Sequence, residues 1–174
     1  MRTKLFFLLS SLIILTFTYV KAEQLEGIEI NGNERISSDT IRMFSDVNQN
    51  IPIDQINLNL VLKNLYETDF FKNVSVKLID KKLVINVIEN PIIEKINYNG
   101  FKARKVKEAA LENLILKSRS SYNEYFLLQD KNRIISNLRD LGYFFAQVDT
   151  SIVELSENKI DINFDINIGE KAKI

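Results

Sequence analysis

Apolar positions along the chain follow one series of patterns twice, over residues 23–91 (the first unit) and over residues 92–169 (the second unit). Each series has a short alternating stretch, two stretches with helical spacing, and two alternating stretches joined by a polar turn. Alternation with a period of two predicts a strand, and spacing of i, i+3, i+4 predicts an amphipathic helix. We therefore predict an α+β chain of two tandem modules. Each has the order β-α-α-β-β and packs a three-stranded sheet on two helices.

In the first unit, the short first strand contains Ile28 and Ile30 and ends at the turn sequence Asn31-Gly32-Asn33. Ser37 is a good N-cap for a helix that runs to about Ser45. We expect a second helix to start at Pro52 and Asp54, because an apolar stripe follows with helical spacing. Its members are Leu58, Val61, Leu62 and Leu65.

The last two strands of the first unit are predicted to form a hairpin. Residues 74–78 alternate cleanly, whereas residues 83–88 are apolar on both faces, so the former fits the edge of the sheet and the latter its centre. Pro91 ends the unit, because proline cannot donate a backbone hydrogen bond to a sheet.

The second unit opens with residues 94–100, which repeat residues 26–32 at an offset of 68. We predict helices over residues 105–116 and 125–141, with Gly142 as the left-handed residue that ends the second helix. An edge strand over residues 148–155 follows. The last strand alternates strictly, which predicts one fully buried face; its apolar members are Ile160, Ile162, Phe164, Ile166 and Ile168.

A helix-to-strand corner occurs in both units, over residues 65–76 and 138–148, and each copy carries an aromatic pair. The pairs are Phe70-Phe71 and Phe144-Phe145. We expect them to pack the second helix onto the sheet, since aromatic side chains dominate cores. The alternative is an exposed contact for one ring of each pair, because neighbouring residues on an extended backbone face opposite ways.

The first 22 residues have the features of a secretory signal peptide, with basic residues, an apolar run at 5–20, and cleavage predicted between Ala22 and Glu23. The alternative, an uncleaved anchor, is disfavoured because a 16-residue helix spans about 24 Å of a roughly 30 Å hydrocarbon core. At the other end, Lys173-Ile174 repeats Lys95-Ile96 at a spacing of 78. We therefore expect residues 170–174 to begin a third module and the chain to be a fragment.

Composition narrows the function by exclusion. Without the leader, 20 basic residues stand against 23 acidic ones, and this balance gives no concentrated positive charge for nucleic acid. The chain has no histidine and no cysteine, which removes thiol nucleophiles, disulfides, Ser–His triads and most zinc sites. We expect no cofactor, no metal and no catalytic residues.

The two units resemble the POTRA domains of outer-membrane protein assembly factors. The motifs that carry the resemblance include Gly-Asn-x-Arg-Ile at 32–36, Leu-Tyr-x-Thr-x-Phe-Phe-x-Asn-Val at 65–74 and Leu-Gly-Tyr-Phe at 141–144. The residues assigned to structural motifs on this basis are Gly32, Arg35, Phe70, Phe71, Pro91, Gly100, Gly142, Tyr143 and Phe144.

The resemblance implies a row of periplasmic modules ahead of a C-terminal outer-membrane barrel that this chain does not include. Such a row docks partner lipoproteins and receives unfolded barrel precursors. Two other POTRA-bearing classes stay open: a division protein of the FtsQ kind, which needs the leader to remain as an anchor, and a two-partner-secretion or chloroplast-type transporter.

Strand addition is the expected mechanism, because an edge strand has unpaired N–H and C=O groups that an incoming chain can use. The candidate edge of the first unit comprises Val74, Ser75, Val76, Lys77, Leu78 and Ile79. The candidate edge of the second comprises Val148, Asp149, Thr150, Ser151, Ile152 and Val153. Lys77 and Glu154 are expected to limit self-association of these edges.

Overall fold

The computed structural model describes residues 23–48 and 52–172, and these form two three-stranded sheets, each with its own helices. The strands are β1 (Gly27–Asn31), β2 (Phe71–Ile79), β3 (Lys82–Glu89), β4 (Ile92–Asn99), β5 (Gln147–Leu155) and β6 (Lys159–Asn167). The α-helices are α1 (Ser38–Ser45), α2 (Leu58–Tyr66), α3 (Arg104–Ala110) and α4 (Glu124–Asp140). The predicted signal peptide, its cleavage site between Ala22 and Glu23, and Lys173-Ile174 lie outside the described residues.

Both sheets have the same topology, with the strand orders β1-β3-β2 and β4-β6-β5. The first strand of each unit pairs in parallel with the last, and the middle strand pairs antiparallel with the last. The last strand is therefore central in both units, as the apolar pattern of residues 83–88 predicts for the first unit. The α+β class and the β-α-α-β-β order are confirmed.

Each unit has a separate apolar core between its sheet and its helices. In β6, Ile160, Ile162, Phe164 and Ile166 are buried, which confirms the strict alternation. The first core combines Leu83, Ile85 and Val87 of β3 with residues such as Ile41, Val61 and Leu65 of the helices. No residue belongs to both buried clusters of the described chain.

Two predicted helix boundaries are wrong. The second helix of the first unit starts at Leu58, because the Asn57 side chain accepts from the N–H of Leu60 and caps it, while Pro52 precedes only a short 3₁₀ turn at Ile53–Gln55. In the second unit the helix expected over residues 105–116 ends at Ala110.

Asp130 explains why α3 ends early. Its side chain is fully buried on α4, and its two carboxylate oxygens accept from the N–H groups of Ile115 and Leu116, each at 2.8 Å. Asn113 also has a left-handed φ of 60°. Residues 111–116 are therefore held as a loop against α4 rather than as further helical turns.

Gly32 and Gly100 directly follow β1 and β4 and have φ angles of 82° and 95°. A Cβ at Gly32 would overlap the carbonyl oxygen of Val87, and one at Gly100 would overlap that of Ile166. Both conformation and space therefore demand glycine at the same place in each unit.

Candidate binding edges and the joint between the units

Within the described part of the chain, β2 is an outer strand that pairs only with β3. Asp80 and Lys81 join the two strands, and their φ angles of 46° and 60° are those of a type I′ hairpin turn. The flanking pair Ile79–Lys82 is hydrogen-bonded in such a turn, and hydrogen-bonded and non-hydrogen-bonded pairs alternate along an antiparallel ladder. Counted from that pair, Val76 and Ile85 form a non-hydrogen-bonded pair, so the N–H and C=O groups of Val76 point to the open side of the sheet.

The predicted edge of the first unit is closed at its beginning. Val74 is buried, and its N–H donates to the Tyr66 hydroxyl at 3.0 Å. The sequence did not indicate this cap, because a tyrosine at the end of a helix has many possible partners. The open stretch therefore runs from Ser75 through Val76, Lys77, Leu78 and Ile79.

β5 is the corresponding outer strand of the second unit, and among residues 23–48 and 52–172 it pairs only with β6. Val148 belongs to the core on the helix side, and Thr150 and Ile152 follow it on that face. Asp149, Ser151 and Val153 face the other way; the Ser151 hydroxyl accepts from the Asn163 side chain at 3.3 Å.

Both outer strands expose apolar side chains over their halves next to the hairpin turn. The exposed fractions are 38% for Leu78, 50% for Ile79, 41% for Ile152, 48% for Val153 and 40% for Leu155. A long apolar edge is a template for pairing with another chain. These positions are therefore the best candidates for contact with a partner strand.

β1 and β4 are also outer strands, which the sequence reasoning did not consider. β4 is partly covered at its beginning, and the residues just ahead of β1 make a backbone contact of their own. The N–H of Ile53 donates to the carbonyl of Glu23 ahead of β1, and Ile92 at the start of β4 bridges to Ser121. We therefore give β2 and β5 priority as open edges.

The aromatic pairs differ between the two corners. Phe71 is 3% exposed and Phe70 packs on Phe44 with ring centroids 5.8 Å apart, so the packing prediction is right for the first unit. It is wrong for the second unit, where Phe144 is 57% and Phe145 is 81% exposed.

A β-turn explains the exposure of Phe144 and Phe145. The N–H of Ala146 donates to the carbonyl of Tyr143, which places both phenylalanines at the central positions of the turn. Ala146 then occupies the buried position at the start of the strand. Tyr143 packs against the core and Gly142 has a φ of 92°, as its predicted role in ending the helix requires.

A buried carboxylate organises the loop after β1. Glu89, at the end of β3, accepts through Oε1 from the N–H groups of Glu34, Arg35 and Ile36 at 2.9–3.0 Å, and its Oε2 lies 3.4 Å from Nε of Arg35. Burial opposes ionisation, but the three N–H donors and the guanidinium outweigh it and lower the pKa of Glu89. Arg35 therefore has a structural role.

The joint between the units is held by polar contacts. The Asp69 carboxylate accepts from the Asn123 side chain at 2.8 Å, and Asn123 also caps α4 by accepting from the N–H of Tyr125. Within the second unit the Asn158 carbonyl accepts from the N–H of Ile92, and the Asn158 side chain donates across the joint to the Glu89 carbonyl.

A cleft of about 460 Å³ lies beside this joint. We call it the joint cleft. Its lining includes Tyr66, Phe71 and Lys72 from the first unit and Tyr122, Ile152 and Ile160 from the second. Sequence patterns gave no sign of it, because it exists only where two separately folded units meet.

Two findings concern other kinds of site. Among the described residues, no group of three or more acidic side chains is placed to hold a metal ion. Over the same part of the chain, none of the helices has the length and apolar content needed to span a bilayer.

The comparison with protein families decides what the second unit is. Residues 91–169 match the POTRA family model, described as a surface antigen variable number repeat. The second unit is a POTRA domain. The first unit has the same strand order and the same pairing of strands as this POTRA domain.

Curated relatives and a solved structure agree with this assignment. The chain is 25% identical over 154 residues to the outer membrane protein assembly factor BamA of Neisseria meningitidis, covering 86% of this chain and 19% of that protein. It is 26% identical over 156 residues to BamA of Neorickettsia risticii, covering 88% and 21%. The chain thus spans about a fifth of the length of these relatives.

The structural comparison supports the fold of both units. The N-terminal domain of Omp85 from Thermosynechococcus elongatus matches with a TM-score of 0.52 and 14% sequence identity, over 82% of this chain and 62% of that one. At this identity the similarity concerns the fold alone. It extends over most of both units, beyond the residues that match the POTRA model.

Proposed function

We propose that this chain is the periplasmic POTRA region of a BamA-type outer-membrane protein assembly factor. In this role it docks partner lipoproteins and receives unfolded β-barrel precursors by strand addition, for insertion by a barrel outside this chain. The observation that carries the proposal is the pair of nine-residue outer strands, β2 and β5, with exposed apolar side chains and an unpaired side.

Main-chain pairing suits a receptor for many clients. Backbone N–H and C=O groups are the same in every client, so an open edge gives affinity without demanding one sequence. The exposed apolar side chains on β2 and β5 add contact area for the alternating residues of a barrel strand. Lys77 and Glu154 place charge on these edges, which limits pairing between two copies of the chain.

The relatives support the compartment as well as the role. Both are named as outer membrane protein assembly factors, and the leader of this chain has the features of a signal peptide. We place the units on the periplasmic face of the outer membrane. No enzymatic step is needed, because strand addition is a binding reaction.

A proline at Val76 tests the edge of the first unit. The N–H of Val76 faces the open side, so Val76→Pro should remove one donor to a client while leaving the β2–β3 ladder intact. We expect photo-cross-linking of an unfolded outer-membrane barrel precursor to β2 to fall several-fold. The measurement is the cross-linked fraction with a photoreactive residue at Leu78.

Val76→Ala is the matched control, because it shortens the same side chain and keeps the N–H group. It should cross-link close to the unsubstituted chain, and both variants should retain their circular dichroism spectra. Equal cross-linking of Val76→Pro and Val76→Ala would show that β2 does not receive clients through its backbone.

A further inference from the structure

The joint cleft adjoins the open edge of β5. Ile152 and Glu154 belong to this outer strand and also line the cleft, facing Phe71 and Lys72 of the first unit. A segment that pairs with β5 therefore passes the mouth of a cavity of about 460 Å³. Cavities of this size accept side chains and small ligands.

The buried part of the joint cleft is apolar, whereas its charged lining residues, Lys72, Glu124 and Glu154, are exposed to solvent, so the cleft favours an uncharged apolar group. Phe71 and Ile160 are buried at its base, and Ile152 is 41% exposed beside it. The amide groups of Asn90 and Asn123 also line it, but both donate to Asp69. Burial of an apolar side chain here would cover apolar surface without displacing a hydrogen bond.

Strand geometry determines which client residue reaches the cleft. Residues directly opposite each other on neighbouring strands point to the same face, with Cβ atoms about 4.5–5.5 Å apart. Ile152 faces the helix side of the sheet, where the cleft lies. A residue paired opposite Ile152 therefore directs its side chain into the joint cleft, and its two neighbours point away.

We propose that the joint cleft accepts one apolar side chain of a polypeptide segment paired with β5, opposite Ile152. The proposal rests on strand addition as the function of this edge and adds a requirement on the client: an apolar residue at one position. Because Lys72 and Phe71 come from the first unit, the specificity of the second unit's edge depends on both units.

Two labelled peptides test the proposal. Their sequence is Lys-Thr-Thr-Thr-X-Thr-Thr-Thr-Lys, with leucine or serine at X, so that a single apolar residue sets the register. We expect the leucine peptide to bind the chain about tenfold more tightly by fluorescence anisotropy, the effect of burying one such side chain. A photoreactive group on the peptide identifies the strand that it contacts.

Adjacent tryptophan substitutions provide a matched pair. Ile152→Trp fills the cleft and should reduce the leucine preference to about one, within the error of the measurement. Val153→Trp adds the same bulk on the opposite face and should leave the preference unchanged. Lys72→Trp fills the cleft from the exposed side of the first unit, and serves if Ile152→Trp proves misfolded by circular dichroism.

The outcomes separate this inference from the proposed function. Equal affinity of the two peptides, with cross-links on β5, overturns the cleft proposal and leaves strand addition standing. A leucine preference that survives both Ile152→Trp and Lys72→Trp also overturns it. Cross-links away from β5 and β2 remove strand addition and the inference together.

Discussion

At the scale of single residues, the two buried carboxylates of the described chain perform the same task in different places. Asp130 holds the loop after α3 and Glu89 holds the loop after β1, and each accepts from consecutive backbone N–H groups. A buried donor that loses its acceptor costs about 1–3 kcal/mol. These two side chains should therefore tolerate replacement poorly, although neither touches the binding edges.

Glu89→Gln tests this role through pH. We expect the variant to lose about 1–3 kcal/mol of unfolding free energy at pH 7, because charge-assisted hydrogen bonds to three N–H groups are weakened. The pKa of Glu89 lies below its ordinary value of 4.5, so the carboxylate contributes stability above that pH and loses it as pH falls through the lowered pKa.

The difference in unfolding free energy between wild type and Glu89→Gln should therefore be constant at neutral pH and shrink below about pH 4.5. Urea titrations at several pH values measure this difference. Glu34→Gln is the control, since it removes the same charge from an exposed side chain next to Glu89's loop contacts. A difference between wild type and Glu89→Gln that grows toward acid would contradict the assignment.

At the scale of elements, the turn after the first strand brings the chain against the central strand in both units. Gly32 and Gly100 are packed against the carbonyl groups of Val87 and Ile166, so neither position has room for a side chain. Gly27, at the start of β1, has no such neighbour within 4 Å. The three glycine positions therefore differ in whether they have room for a larger residue.

Gly100→Ala should lower the unfolding free energy by about 1–3 kcal/mol or more, because it combines a left-handed φ with an overlap against Ile166. Gly27→Ala should change the unfolding free energy by less than about 1 kcal/mol, since space is available and the chain is extended there. Thermal and urea unfolding of both variants measure this contrast. Similar losses in the two would refute the packing argument.

At the scale of the whole molecule, the two units meet through few contacts, and the joint cleft lies beside these contacts. Asp69 and Asn123 form a side-chain hydrogen bond across it, and the contacts of Asn158 and Ile92 lie nearby. The relative position of the units, and with it the shape of the joint cleft, depends on these polar groups.

Asn123→Ser tests the joint without removing the helix cap. Serine caps helices well but is too short to replace the amide that donates to Asp69. The chain has no cysteine, so cysteines introduced at the exposed positions Lys63 and Glu108 can be spin-labelled specifically. We expect a broader label-to-label distance distribution in the variant at an unchanged melting temperature.

Asn123→Ala is the companion variant for this experiment. It should broaden the distribution to the same extent and also lower the stability of the second unit by about 1 kcal/mol, the value of a lost N-cap. A distribution as narrow as that of the unsubstituted chain would show that the Asp69–Asn123 bond does not hold the joint.

The sequence predicts the fold correctly where a local pattern of residues is compatible with only one local structure. Alternation in residues 160–168 identified the buried face of β6, and Gly32 and Gly142 marked a turn and a helix end, where both have positive φ angles. The edge strand of the first unit was recognised because residues 74–78 are apolar on one face, whereas residues 83–88 are apolar on both. None of these inferences needed contacts between distant parts of the chain.

The remaining features depend on contacts that local patterns do not encode. Phe144 and Phe145 are of a residue type expected in a core, but they lie in an exposed turn because Ala146 takes the buried position. The helix after Gly100 is cut short by Asp130, a residue on a different helix. The cap of Tyr66 on Val74 and the joint cleft likewise arise only after the elements have packed.

The two apolar cores share no buried residue, and this has a mechanical consequence. Tension applied along the chain meets two compact bodies linked by Asn90, Pro91 and a few polar bonds. Those bonds should part well before either sheet shears, since a β-ladder breaks many bonds at once. Under load the chain would thus lengthen by opening at the joint, and each unit would keep its edge strand intact.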